Sequence, residues 1–195
     1  MVSKEIGEQE LTDKPFLPPI EDPQDEGMKE TYAFMRQQFG KVITPLKVHS
    51  ARLPPAFLQF YGRPNELDRE LKLPRETALL IREQVARLNV CLFCLDANRW
   101  NAINSSMNPA KFDTLDQYKT SPQFTDAERA ALDYVTELTG EKKVNPSTFA
   151  RMSDYYSERE ICEIVYLVAS EHLWNITNIG LNIHSDMLCR VSGKK

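Results

Sequence analysis

Cys91 and Cys94, three residues apart, are the residues of this chain whose type and spacing suit covalent chemistry. In the segment from Glu83 to Asn98 (EQVARLNVCLFCLDAN), two features predict a helix break just before Cys91. Asn89 suits the position that caps a helix N-terminus. Val90 is β-branched and a mediocre helix former. A helix that starts there carries both cysteines in its first turn or so. The unpaired N–H groups and the dipole at a helix N-terminus favour negative charge, which stabilises a thiolate. Cysteines in such settings fall from a free pKa of about 8.5 to roughly 3.5–7.5. The i, i+3 spacing also puts both sulfurs on one face, within reach of a disulfide. One thiolate can then attack a peroxide or a disulfide, and the other can resolve the product.

Two plainer uses compete with this redox reading. A zinc site needs two more ligands, and the chain has no second CxxC and no HxxxH. Cys162, Cys189, His172 and His184 would have to converge from separate places. Alternatively, both cysteines are small core residues, as free cysteine often is. The remaining candidates read as structural. His172 lies in an apolar stretch and reads as a buried, hydrogen-bonded histidine. His49, His184 and Asp186 read as surface residues, and Phe93 and Trp100 as packing around the cysteine pair. The tyrosines at 155, 156 and 166 carry no chemical pattern.

The elements that must hold this pair are helical. Thr125-x-x-Glu128 and Ser157-x-x-Glu160 are capping boxes that open helices, the first running to about Gly140. Thr44-Pro45, Asn108-Pro109 and Asn145-Pro146 have the form of a cap followed by proline at the first helical position. Gly40 stops a helix over 28–39. Ala78, Ile81, Val85 and Leu88 form one apolar stripe on a helix that starts near Pro74. Residues 161–181 are apolar around most of the circumference, which predicts burial in a core or at a subunit interface. No period-2 pattern with hairpin signals is present. The expected fold is all-α, a bundle of seven or eight helices over residues 27–195.

Residues 1–26 differ in character. They hold four of the twelve prolines (Pro15, Pro18, Pro19, Pro23) and seven Asp or Glu before Glu26. Such a segment cannot bury a core of its own. It reads as an extended arm that packs across a subunit boundary. The whole chain, 195 residues with a net charge of −4 and 42% hydrophobic, suits one domain with an arm. The mild acidity argues against nucleic acid as a partner. No apolar run approaches 18 residues, so no membrane partner is expected. The first seventeen residues lack the apolar core of a secretory signal, which makes the cytoplasm the default location. Four cysteines are too few for a disulfide scaffold of this size.

The run Leu88 to Asp96 resembles the central motif of AhpD-like alkyl hydroperoxidases, in the carboxymuconolactone decarboxylase superfamily. Arg75-Glu76 ahead of an apolar stretch, the TDAERAALDYV segment from Thr125, and Trp174-Asn175 followed by Leu181-Asn-Ile183 are similar to the family's layout. The match covers roughly residues 28–190. The resemblance implies an all-α fold assembled as a dimer, trimer or hexamer. It implies that Cys94 attacks the peroxide and Cys91 closes the disulfide, with a Glu and a His as proton relay. This chain departs twice. The relay His position is Asn98, which cannot titrate near neutral pH. The Glu position, twelve residues before the first cysteine, is Leu79. Glu83 is the nearest alternative. It either folds back toward the thiols or pairs in solvent with Arg87. Asp96 lies off the cysteine face.

The sequence therefore predicts a thiol-dependent oxidoreductase with Cys94, Cys91, Glu83 and Asn98 at its site. Its partners would be a peroxide or disulfide substrate and a protein thiol reductant. It would need no organic cofactor, because the electrons pass through the thiols. Two rivals remain. One is a cofactor-free decarboxylase or lactone-acting enzyme, a branch that generally lacks the CxxC. The other is a non-catalytic, redox-responsive or structural oligomer, which Asn98 favours.

Overall fold

The computed structural model describes residues 14–107 and 109–191, and every regular element within them is a helix. Seven helices run eight residues or longer: α1 (Glu26–Phe39), α3 (Ala56–Leu67), α4 (Arg75–Leu88), α5 (Leu92–Asn104), α7 (Asp126–Glu141), α8 (Pro146–Ser153) and α9 (Glu158–Gly180). Three short ones, α2 (Thr44–Val48), α6 (Pro109–Asp113) and α10 (Leu188–Val191), lie between and after them. No helix among the described residues is long and apolar enough to cross a membrane.

Local sequence sets most boundaries. Asp25 accepts the Met28 amide at 2.9 Å and starts α1, and Gly40 ends it with φ 72°, a left-handed conformation that glycine adopts without strain. Both expected capping boxes form, at Thr125–Glu128 and Ser157–Glu160. Asn145 takes the N-cap position of α8 ahead of Pro146, without a side-chain cap bond. Asn108 lies outside the described residues. At α2 the expectation shifts by one residue. Ile43 is the N-cap and makes no side-chain cap bond. The cap comes from the far end of the chain, where Asp186 accepts the Thr44 amide at 2.7 Å and the Thr44 hydroxyl at 2.6 Å. Asp186 is thus a half-buried cap rather than a surface residue. A carboxylate at a helix N-terminus satisfies orphan N–H groups wherever in the chain it originates.

Helix α4 is the centre of the bundle. Every residue from Thr77 to Ala86 is buried, polar ones included, because α5, α7 and α9 pack around it. Ala78, Ile81 and Val85 join Val135, Ile164 and Leu167 in the largest core cluster. Leu88, expected on the same stripe, is 41% exposed because the helix ends there. Helix α9 departs from the expected all-round burial. Its buried residues include Glu171, Asn175 and Asn178, while Val165, Ile176 and Ile179 face outward.

Residues 1–13 of the arm lie outside the described residues. Its second half runs along its own chain. The Phe16 amide donates to the Leu181 carbonyl at 3.0 Å, and the Ile20 amide donates to the Lys47 carbonyl at 3.0 Å. The Tyr32 hydroxyl bonds the Ile20 carbonyl at 2.8 Å, and the Asn182 amide bonds the Lys14 carbonyl at 2.8 Å.

Candidate functional site

The cysteine pair sits at the junction of α4 and α5. Helix α4 closes with a paired-bond motif in which the Val90 amide donates to the Arg87 carbonyl and the Cys91 amide to the Ala86 carbonyl. This motif needs a left-handed residue just past the helix end, and here that residue is Val90, with φ 57°. The break falls where the sequence predicts it, but the capping roles differ. Asn89 closes α4, and Cys91 is the N-cap of α5. The Cys91 sulfur takes the place that a serine or aspartate oxygen usually fills, accepting the Cys94 amide at 3.4 Å. Asn89 is freed to tie the turn to α9. Its Nδ2 donates to Asn175 Oδ1 at 2.8 Å and meets His172 Nδ1 at 3.0 Å.

Cys91 and Cys94 are joined by a disulfide, with their Cα atoms 5.3 Å apart. Both are buried, among Val48, Ala86, Phe93 and Ile183, with Trp174 and Leu181 at the edge. The polar partner of the sulfurs is Asn178, whose Nδ2 donates to Cys94 Sγ at 3.4 Å and lies 4.0 Å from Cys91 Sγ. Asn178 Oδ1 is buried without a partner. Sequence reasoning missed Asn178. The available signal was the spacing of Glu171, Asn175 and Asn178, at i, i+4 and i+7, one polar face inside an apolar helix.

Asn98, one turn after Cys94, is buried and donates to Glu171 Oε1 at 3.4 Å. Asn175 reaches the same oxygen at 3.0 Å. Arg82 bonds Glu171 Oε2 at 3.2 Å and grips both oxygens of Asp68 at 2.8 and 2.9 Å. Burial pushes the Glu171 carboxyl up from its ordinary range, against the opposing pull of Arg82 and the two amides. Arg82 and Glu171 are both missing from the expected site set, since neither shows a motif in the sequence.

Glu83 is not on a solvated face. It is 2% exposed, with Arg87 Nε at 3.4 Å from its Oε1 and no partner for its Oε2. Burial pushes its carboxyl up to about 7, although Arg87 and Arg99 pull it down. It lines an open cleft of about 680 Å³ with Arg87, Val90, Leu95, Arg99 and Cys189. Cys189 donates its thiol to the Asp96 carbonyl at 3.4 Å, and burial with the nearby Asp96 pushes it up to about 11, so it stays protonated at neutral pH. It packs on the side of α5 away from Cys94, because residues two apart on a helix point about 200° apart. Asp96 accepts the Leu188 and Cys189 amides and the Ser185 hydroxyl, off the cysteine face as expected.

His172 is hydrogen-bonded but only half-buried, and burial lowers its pKa. His49 is half-buried rather than exposed, its ring 5.6 Å from that of Tyr61. His184 is also half-buried and contacts Asn182. Among the described residues, no three His, Cys, Asp or Glu groups are placed to hold a metal ion. Cys162 is exposed and apart from the pair.

No protein-family model matches the chain. It is 23% identical over 167 residues to the uncharacterised protein YnjA of Escherichia coli, covering 82% of this chain and 88% of YnjA. It is also 23% identical over 115 residues to the uncharacterised protein YdfG of Bacillus subtilis, covering 58% of this chain and 78% of YdfG. Among solved structures, a cysteine-to-alanine variant of the debrominase Bmp8 bound to 2,3,4-tribromopyrrole superposes with a TM-score of 0.77 at 18% identity, covering 93% and 97% of the two chains. An uncharacterised peroxidase-related protein from Silicibacter gives 0.71 at 19%, covering 93% of each chain. A peroxidase-related protein from Ralstonia eutropha, described as an alkylhydroperoxidase AhpD core, gives 0.72 at 17%, covering 84% and 88%. At these identities the likeness is one of fold.

Proposed function

We propose that this chain, which has the AhpD-like helical fold, is a thiol-dependent oxidoreductase that reduces peroxides or exchanges disulfides through Cys91 and Cys94. The observation that carries this reading is the Cys91–Cys94 disulfide at the N-terminus of α5. With the pair reduced, the Cys94 thiolate attacks the peroxide, R–O–OH. The O–O bond breaks, Cys94 becomes a sulfenic acid, and the alkoxide leaves as ROH on taking a proton. The Cys91 thiol then displaces water from the sulfenic acid and closes the disulfide. A protein dithiol reductant returns two electrons and two protons.

Glu83 supplies the proton for the leaving alkoxide. What supports this role is that its buried carboxyl keeps a proton up to about 7, on the helix that leads into the cysteine turn; the cleft it lines reaches Val90 and Leu95 but neither cysteine. Asn98 cannot replace the family's histidine as a proton carrier. Its place is to hold the buried Glu171 carboxylate through Oε1. No organic cofactor enters this cycle, because the thiols carry the electrons. A pair that must be re-reduced works in a reducing compartment, and we place the chain in the cytoplasm. The outward Val165, Ile176 and Ile179 of α9 suit a subunit contact, so the working form is a homo-oligomer.

The test is thiol reactivity followed by turnover. Alkylation rates of Cys91 and Cys94 are measured against pH by mass spectrometry, before and after one equivalent of hydrogen peroxide. A thiolate pKa well below 8.5, loss of two hydrogens on oxidation, and peroxide consumption that disappears in Cys94→Ser support the reading. Consumption that survives Cys94→Ser sinks it.

The full-length likeness to Bmp8 favours a second reading. Two thiols can drive a reductive debromination, R–Br plus two S–H giving R–H, a disulfide and HBr. Bromide release from 2,3,4-tribromopyrrole, lost in Cys94→Ser, is its measurement.

A further inference from the structure

We propose that Asn178 positions the Cys91–Cys94 pair according to its redox state, holding the reduced pair more strongly than the disulfide. This rests on the thiol-redox reading above and adds a residue to it. Asn178 is 3% exposed, on the face of α9 turned toward α5. In the disulfide state its amide has one short sulfur contact, Nδ2 to Cys94 Sγ at 3.4 Å. Its carbonyl oxygen, Oδ1, has no partner.

A disulfide has no proton to give, so it cannot satisfy Oδ1. The orientation with Nδ2 on the sulfurs is therefore the one that makes a hydrogen bond in this state. A buried carbonyl left unpaired is costly. Reduction changes the inventory. An external dithiol, R(SH)₂, attacks the disulfide and leaves as the cyclic R(S–S), and two electrons and two protons pass to Cys91 and Cys94. One sulfur now carries an S–H, a donor for Oδ1. The other, Cys94 at the third position of α5, releases its proton to solvent on ionising, and the thiolate is a stronger acceptor for Nδ2 than a disulfide sulfur is. Asn178 thus gains one bond and strengthens another on reduction. An interaction made better in one state shifts the equilibrium toward that state. Asn178 makes the disulfide easier to reduce and lowers the Cys94 thiol pKa.

Position and neighbours support this role over simple filling. Asn175 and Glu171, on the same face, are fully engaged with Asn89, Asn98 and Arg82. Asn178 alone on that face keeps an unpartnered atom, and it is the one against the sulfurs. An apolar side chain of the same size would fill the space equally well without the orphaned oxygen.

The experiment equilibrates wild type, Asn178→Leu and Asn178→Ser with graded ratios of reduced and oxidised dithiothreitol. The free thiols are read by alkylation and mass spectrometry, and Cys94 alkylation is followed against pH. Leucine removes both polar atoms and keeps the branching at Cγ, with a larger volume. Serine keeps a small donor and acceptor and serves if the leucine variant does not fold. Asn178→Leu is expected to shift the equilibrium toward the disulfide by about tenfold, or about 30 mV for a two-electron couple. Its Cys94 alkylation profile moves to higher pH, and serine falls between. A folded variant of either kind with the wild-type midpoint and the wild-type alkylation profile overturns the proposal. A wild-type chain that shows no two-electron midpoint overturns the thiol-redox reading itself, so the two failures are distinct.

Discussion

At the residue scale, Glu83 carries a conflict that can be measured. A carboxyl with an ordinary pKa of 4.5 is held at about 7 because burial outweighs the pull of Arg87 and Arg99. The unfolded chain ionises Glu83 near 4.5, while the folded chain keeps the proton up to about 7. Between those values the unfolded state binds fewer protons, so this group makes stability fall as pH rises, and the loss is complete above about 7. Glutamine cannot ionise. Denaturant titrations of Glu83→Gln between pH 5 and pH 8 should show a flatter profile than wild type, with the difference on the order of a few kcal/mol. Parallel profiles would mean that Glu83 is ionised in the folded protein. Burial shifts Glu171 in the same direction. The same substitution should slow peroxide turnover by about 100-fold if Glu83 is the proton donor. Turnover within a factor of two of wild type would remove it from the mechanism.

At the scale of elements, the α4–α5 turn places the sulfurs, and Val90 is its weak point. It sits left-handed at φ 57° and is 70% exposed, so packing does not compensate the strain. A β-branched residue in this region is a genuine outlier, and the left-handed region costs an L-residue roughly 1–2 kcal/mol. Val90→Gly removes that cost but adds freedom to the unfolded chain. The net expectation is a gain of about 0.5–1 kcal/mol, seen as a melting temperature higher by roughly 1–4 °C. A lower melting temperature would mean that the freedom glycine adds to the unfolded chain outweighs the strain at Val90. The break before Cys91 was legible from Asn89 and Val90. The assignment of caps was not, because Asn89 suits either end of a helix, and its choice depends on Asn175 and His172, more than eighty residues away.

At the scale of the whole molecule, residues 181–183 pack at the disulfide, and segments from both sides of the bundle hold them there. The C-terminal segment is tied down at Asp186 to α2 and at Asp96 to α5. The arm then bonds Leu181 and Asn182, two residues and one residue before Ile183, which packs on the cysteines. Deleting residues 1–24 leaves α1 and its cap intact and strips this outer layer. Reduction of the disulfide by dithiothreitol should then be several-fold faster, timed by alkylation. An unchanged rate would assign the cover to residues 181–189 alone. Oligomer mass measured on the same variant tests whether residues 1–13 cross to a second subunit. Unchanged mass and melting temperature would count against that role.

The all-helical class, the helix ends at Gly40, Thr125 and Ser157, and the pairing of Cys91 with Cys94 were legible in sequence alone. Each rests on residues three or four apart along the chain, where propensity and capping act locally. Tertiary structure decided what faces the sulfurs. Asn178 comes to them from α9, and Glu171 and Arg82 meet Asn98 and Asp68 across helices, through rotations and crossings that no local pattern encodes. The burial that raises Glu83 and the carboxylate of Asp186 that starts α2 are also products of long-range packing. A side chain's solvation and partners are set by the neighbours the fold brings, and those lie far away in the chain.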